Sequence, residues 1–594
     1  MQETRHPSQT SKELIFDLKK VALGETAADL AVINGNIVNV YTGELLYGNT
    51  VLIKGNRIAY VGKNVAKAIS SSTKVIDATQ KTLIPGLIDG HTHIDWPYSL
   101  SELLRYAMKG GTTTIISEFC NAVFPLGYRG IIHFLNNAEN QPIKVFLTIP
   151  PMVTLSRAAE EQAITAKEIR KLFKRKDVIG LGEPYWAPVV AGNKRVNELI
   201  EETINTGKII DGHSSGAKDN KLQAYINSGI SSCHEPITVE EVKERLRLGL
   251  FVLVREGEVR RELEEISKIQ DENIDLSRLI LSTDGIGPWQ LTTDGYMEYV
   301  VQKAINLGFN PIKAIKMATI NPAHRFGLGN LIGGIAPGKI ADIVIIPDLH
   351  SIKAEYVISN GKIVARDGQL LLKPKNNGYP KWMEKSIRLT SEFTADDFTI
   401  PVAVSRQQVR TRVIDLVTGL VTREAIIDIP VFNGLLCVDV TADLLKIAAI
   451  ARTYEPGKTF VGFIRGFKLK KGAIATSASW DSSDIIVVGA NEADMAQAVN
   501  RIRQLNGGIV ICTGGKIQTE LPLPIGGMIS EEPMETIASK LHEIQQEAAN
   551  LGFPYPDLRI TLSVMATPAI PFLRICEDGL FSIDQNSFVD LFVG

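Results

Sequence analysis

From about residue 86 to residue 330 the chain alternates between two textures. Short apolar runs (TTTIISEF, IKVFLTI, DVIGLGE, GKIIDGH, GISSCHE, GLFVLVR, LILSTDG) are separated by charged stretches with helical spacing, such as VEEVKERLRLG. Apolar runs of this length, bounded by turn residues, read as buried strands. Strand–helix alternation sustained over roughly 240 residues predicts a parallel α/β barrel. This feature constrains the chain most, because such a barrel gathers its functional groups at the C-terminal ends of its strands.

The flanks differ. DLAVINGNIVNVYTGELLYGNTVLIKGNRIAYVG and, far downstream, GGIAPGKIADIVIIPDLHSIKAEYVISNGKIVARDGQ are rich in Val, Ile and Tyr and broken by Gly and Asn. That is an antiparallel β pattern. Two such flanks around a long middle predict one small sheet domain, 25–85 with 333–372, into which the barrel, 86–332, is inserted. Residues 1–24 predict a short amphipathic helical segment. Beyond residue 375, strand-rich stretches such as DIIVVGAN and GGIVICTGG mix with helical ones such as METIASKLHEIQQEAANLG. They predict a separate α+β domain over 376–594.

At 594 residues the chain is too long for one core, and roughly two to four domains are expected. The net charge of −2, with both signs mixed, excludes a polyanion-binding surface. KLFKRKD is the densest basic run and reads as a solvated helix face. Five scattered cysteines form no CxxC pair, which points to a reducing compartment. The polar N-terminus lacks a signal-peptide core, and no apolar run approaches the ~20 residues that span a bilayer. A cytoplasmic protein without nucleic-acid or membrane partners is expected.

Histidine is scarce, nine in the whole chain, yet HTH closes the apolar run KTLIPGLIDGHTHID. Residues i and i+2 of a strand share a side, so His91 and His93 can both face the barrel interior. The other strand ends carry Glu183, His213, His234 with Glu235, and Asp284. Four imidazoles and two carboxylates on one rim suit two divalent cations, with Glu183 able to bridge them. A cation acidifies bound water, and Asp284 is placed to move its proton. His6, His133, His324, His350 and His542 read as ordinary residues. Two other motifs fall away. GGIVICTGGK lacks the spacing of a phosphate loop, and the H-x-E…P-C-x-x-C pattern of the cytidine-type zinc deaminases is absent.

PGLIDGHTHID, then GE, DGH, CHE and STD in that order, resemble the amidohydrolase superfamily. NPAHRFGLGNLIGGIAPGKIADIVII is similar to that superfamily's exit from its barrel. The resemblance implies a metal-dependent (β/α)8 barrel inserted in a small β-sandwich, an α/β fold to which the C-terminal α+β domain is appended. Within the superfamily the chain resembles the adenine deaminases. The signs are Glu rather than Lys at 183, DGHSSG, LQAYINSGISSCHE and, in the last domain, GFIRGFKLKKGAIATSASWDSSDIIVVGAN, LPLPIGGMISEEP and IPFLRICEDGLFSI. That implies hydrolysis of adenine to hypoxanthine and ammonia, a part in purine salvage, and a homo-oligomer, dimer or higher. It also implies two Mn2+ per chain, with Fe2+ or Zn2+ as alternatives. The metal ligands would be His91, His93, Glu183, His213, His234 and Asp284. Glu235 would protonate the ring and Asp284 would shuttle the proton.

The chain departs from the family pattern beside the ligands. HAP becomes His213-Ser214-Ser215, an Asp becomes Cys233, and TDD becomes Thr283-Asp284-Gly285. DPHEIAN becomes SEFCNAV and HDSHN becomes WDSSD. Cys233 taken by itself reads as a buried small hydrophobe rather than a ligand, but these departures make Ser215, Cys233 and Gly285 the expected substrate-binding positions. They leave open an N6-substituted purine or another amino-heterocycle as substrate, or a non-catalytic purine-binding role.

Overall fold

A computed structural model of the protein describes residues 12–63, 65, 67–403 and 405–593. Eight parallel strands form the barrel: Leu87–Thr92, Thr112–Glu118, Lys144–Ile149, Val178–Leu181, Ile209–Ile210, Ser232–Cys233, Phe251–Arg255 and Leu279–Ser282. They are called the first to eighth strands below. Ladders join the first five and the last three. Two seams close the ring. Ser231 donates its amide to the Ile210 carbonyl at 3.4 Å, and Asp284 donates to the His91 carbonyl at 3.0 Å. The second seam is tight, since a Cβ at Gly90 would lie 2.7 Å from Ile280.

The helices between strands form where polar caps meet apolar stripes. Thr165 and Glu168 make a capping box ahead of Ala166–Leu172, and Thr238 caps Val239–Arg247. Ile88 and Ile116 of the strands pack with Ala323, Phe326, Leu328 and Ile332 of the exit segment, with Phe146, Ile179 and Ile209 against them. Arg325 from that segment reaches Ile210 O, Asp211 Oδ1 and Ser232 Oγ at 2.7–3.0 Å, pinning the fifth and sixth strands.

Nine strands from both flanks join in one sheet. The junction is antiparallel pairing of Thr82–Pro85 with Ile343–Ile346, from Ile343 opposite Pro85 to Ile346 opposite Thr82. All four residues of Ile343–Ile346 are buried, as a central strand requires. Lys144 of the third strand ties the barrel to this sheet through Asp342, 2.8 Å away, with both side chains 4% exposed. A helix, Lys12–Ala22, precedes the sheet. Residues 1–11 of the expected helical segment lie outside the described residues.

The C-terminal part builds a ten-stranded sheet, the helices Glu492–Leu505 and Met534–Leu551, and a three-stranded sheet from Leu573 to Val589. GGIVICTGGK is the strand Gly508–Thr513 and its turn. The amides of Gly514 and Gly515 donate to Asp494 at 3.1 and 2.8 Å, so an internal carboxylate takes the donors a phosphate would need. No helix among the described residues is long and apolar enough to cross a membrane.

Candidate active site

His91 lies inside the first strand and His93 just beyond it. Glu183, His213, His234 and Asp284 each lie within three residues of the end of the fourth, fifth, sixth and eighth strands. Asp284 holds φ +54, a conformation that few side chains other than Asn and Asp adopt readily. Its backbone bond to His91 and the bond from Thr283 Oγ1 to Asp89 Oδ2, 2.6 Å, hold it there. Tyr296 donates to the same Asp89 oxygen at 2.7 Å.

The side chains sort into two groups about Glu183. Oε1 is 2.8 Å from His91 Nε2 and 3.3 Å from His93 Nε2. Oε2 is 2.9 Å from His213 Nδ1 and 3.3 Å from His234 Nε2. Asp284 Oδ1 completes the first group, 3.4 and 3.3 Å from His91 and His93. One carboxylate thus offers one oxygen to each of two imidazole pairs, the arrangement of a bridge.

These residues fit divalent cations on an observation of the site itself. His91 Nε2 and Glu183 Oε1 approach closely, yet both are buried and neither makes a hydrogen bond among the described residues. Buried polar atoms are otherwise almost always paired. Both atoms belong to one close group of four possible ligand residues. His93 Nδ1 lies 3.2 Å from the Glu118 carbonyl oxygen. Cys120 Sγ lies 3.1 Å from the same nitrogen; with the proton on Nδ1 facing the carbonyl, Nε2 is free to ligate, the usual support of a metal-bound histidine. His91, Glu183, His234 and Asp284 form one group able to hold a cation, and His213, His234 and Glu235 another.

Burial alone would raise the pKa of Glu183, but the His234 and His91 charges and the His213 hydrogen bond hold it well below the usual carboxylate range. Asp284 is likewise held low by His91, His93, His234 and Arg255 against its burial.

The structure corrects two expectations. Glu235 was expected to donate a ring proton. Its Oε1 instead lies 2.5 Å from Arg255 Nη1. Against the upward push of burial, the Arg255 guanidinium at that distance holds it below its ordinary pKa, so in this arrangement it is an acceptor. Cys233 was expected to contact substrate. It is fully buried, 2.7 Å from Ser214 Oγ, and accepts the Glu235 amide at 3.3 Å. It does not line the cavity, whereas Ser215 and Gly285 do.

That cavity, about 200 Å³, opens from the imidazoles and carboxylates. It is smaller than the ~300–1,000 Å³ of drug-sized sites, which suits one compact planar ring system. Trp96, Tyr185 and Ile286 line it on the barrel side. Leu420, Trp480, Asp481 and Ile570 line it from the C-terminal part.

Sequence reasoning missed several residues here. Arg255 ends the seventh strand and touches Glu235, Asp284 Oδ2 at 3.2 Å and Glu262 at 2.9 Å. Glu118 ends the second strand and accepts the Glu183 amide at 3.0 Å. Burial and the Glu183 charge push its pKa well up. Both occupy strand ends, so the rule that found the histidines, applied evenly, reaches them.

Barrel, joined flanking sheet and this ring of imidazoles and carboxylates define an amidohydrolase. The amidohydrolase family matches residues 82–364, and the adenine deaminase C-terminal domain matches residues 419–587. An adenine deaminase of Moorella thermoacetica is 34% identical over 602 residues, covering all of both chains. One of Dehalococcoides mccartyi is 37% identical, covering 97% of this chain and 98% of its own. Among solved structures, molinate hydrolase aligns with 60% of this chain and 98% of its own at 18% identity and a TM-score of 0.46. The chain belongs to the adenine deaminase family.

Proposed function

We propose that the protein hydrolyses adenine to hypoxanthine and ammonia. The observation that carries this is Glu183 offering one oxygen to each histidine pair, with Asp284 beside the first pair at the floor of a small cavity. Full-length relatedness to adenine deaminases supports it.

In this reading His91, His93, Glu183, His213, His234 and Asp284 hold two divalent cations, Mn2+ first among them. When bound, such cations supply an acidified water as nucleophile. Asp284, kept ionised, accepts that water's proton and delivers it to the departing amino group. Arg255 fixes Asp284 Oδ2 and so aims Oδ1 at the histidines. Glu235, anionic, accepts from the substrate rather than donating to it. Ser215 and Gly285 shape the wall. The same reading takes 25–85 with 333–372, 86–332 and 376–594 as the domains, and a cytoplasmic homo-oligomer acting in purine salvage.

The test is ammonia release from adenine beside N6-methyladenine and a panel of amino-heterocycles. Adenine is expected to be the best substrate by kcat/KM, and release only from another compound would reject the reading. Cys233→Ala tests the corrected pocket. Because Cys233 faces Ser214 and not the cavity, relative kcat/KM values across the panel are expected to stay within roughly threefold. A reordered preference would restore Cys233 as a specificity residue.

A further inference from the structure

The C-terminal domain lines the cavity mainly with apolar groups, but one residue it supplies is ionisable, Asp481. Burying a carboxyl group costs free energy unless it is paired. Among the described residues no lysine or arginine forms an ion pair with Asp481, which is 5% exposed. Its backbone holds φ +55, in the left-handed region.

The two parts of the chain grip this carboxylate together. Tyr185, two residues after Glu183, donates its hydroxyl to Asp481 Oδ2 at 2.7 Å, and Thr567 donates to the same oxygen. The Tyr185 ring meets His213 edge-on, with centroids 5.0 Å apart. Beside Asp481, Trp480 meets Trp96 of the barrel edge-on at 5.4 Å. Oδ2 is thus occupied, while Oδ1 has no hydrogen bond among the described residues. Burial pushes the carboxyl up to about 6 against the pull of Thr567 and Tyr185. Near neutral pH it is mainly ionised and can only accept.

We propose that Asp481 accepts a ring N–H of the substrate through Oδ1 and selects heterocycles bearing that N–H over N-alkylated ones. The proposal rests on the deaminase reading and gives the C-terminal domain a part in specificity. A site built to bond an N–H rejects the analogue lacking it strongly, because its buried acceptor is left unpaired.

The test compares wild type with Asp481→Asn on adenine and its 3-, 7- and 9-methyl derivatives. Both kcat/KM for ammonia release and calorimetric Kd are measured on cation-loaded protein of checked metal content. Asparagine tolerates the left-handed backbone. Its amide oxygen can keep the Tyr185 and Thr567 hydroxyls, turning the NH2 toward the cavity, where it cannot accept. In wild type at least one methyl isomer is expected to fall by roughly 10²-fold relative to adenine. In the variant adenine is expected to lose roughly 10²-fold while that isomer changes less than about threefold. Equal losses on all four compounds, or unchanged discrimination, would overturn the proposal. Asp481→Ala, which removes the acceptor without adding a donor, is expected to lose the same discrimination. Asp481-dependent binding without ammonia release would sink the deaminase reading and sustain this one. Ammonia release with discrimination independent of Asp481 would do the reverse, and no binding of any of the four compounds would reject both.

Discussion

Asp284→Asn is expected to lower turnover of adenine by about 10²–10⁴-fold, the range lost when a positioned proton-transfer group is removed. The substitution suits the question. Asp284 holds φ +54, which asparagine accepts at little cost while alanine would add strain. The amide keeps an oxygen that can face His91 and His93, so the cations are expected to stay. What disappears is the negative charge that takes and returns a proton. Ammonia release and metal content measured on one preparation separate these effects. Near-normal turnover with metal bound would remove Asp284 from the mechanism.

Arg255→Met is expected to have the largest effect on stability. The guanidinium, 3% exposed, touches Glu235, Glu262 and Asp284. Methionine fills similar space and leaves Glu235 and Asp284 without their guanidinium and Glu262 with only the more distant Arg260, 3.9 Å away. Breaking a buried pair from one side costs about 3–5 kcal/mol. At roughly 2–4 °C per kcal/mol for a domain of this size, Tm should fall by roughly 6–20 °C. Bound cations beside Asp284 offset part of the lost charge, so the drop should be greater in metal-free protein. Calorimetry of both forms checks this. An unchanged Tm would show that the three carboxylates do not depend on Arg255.

Much of the site was legible because barrel strands deliver their end residues to one rim whatever the helices between them do. His91, His93, Glu183, His213, His234 and Asp284 are positions of that kind. Cys233 was misassigned although strand alternation already separates it from His234, its neighbour in the chain. The role of Glu235 was misjudged for a different reason. Its ionisation is set by Arg255, twenty residues away and brought near only when the sixth and seventh strands pair.

The sequence marked the WDSSD stretch as a departure from the family pattern but did not single out Asp481 within it. Nothing local in WDSSD says that Tyr185, 296 residues earlier, will hold its first aspartate over the cavity. The joining of the flanks was visible in their composition. The packing of the C-terminal part over the rim was not, because such contacts follow from three-dimensional docking rather than periodicity.

The central claim is that the protein hydrolyses adenine and that Glu183, with the two histidine pairs and Asp284, would hold the two cations that supply its nucleophile. The most direct measurement loads the protein with Mn2+, counts cations per chain, and follows adenine, hypoxanthine and ammonia in the same sample. Two cations per chain, with one hypoxanthine and one ammonia formed for each adenine consumed, is the predicted result. Two bound cations with adenine left intact would contradict it.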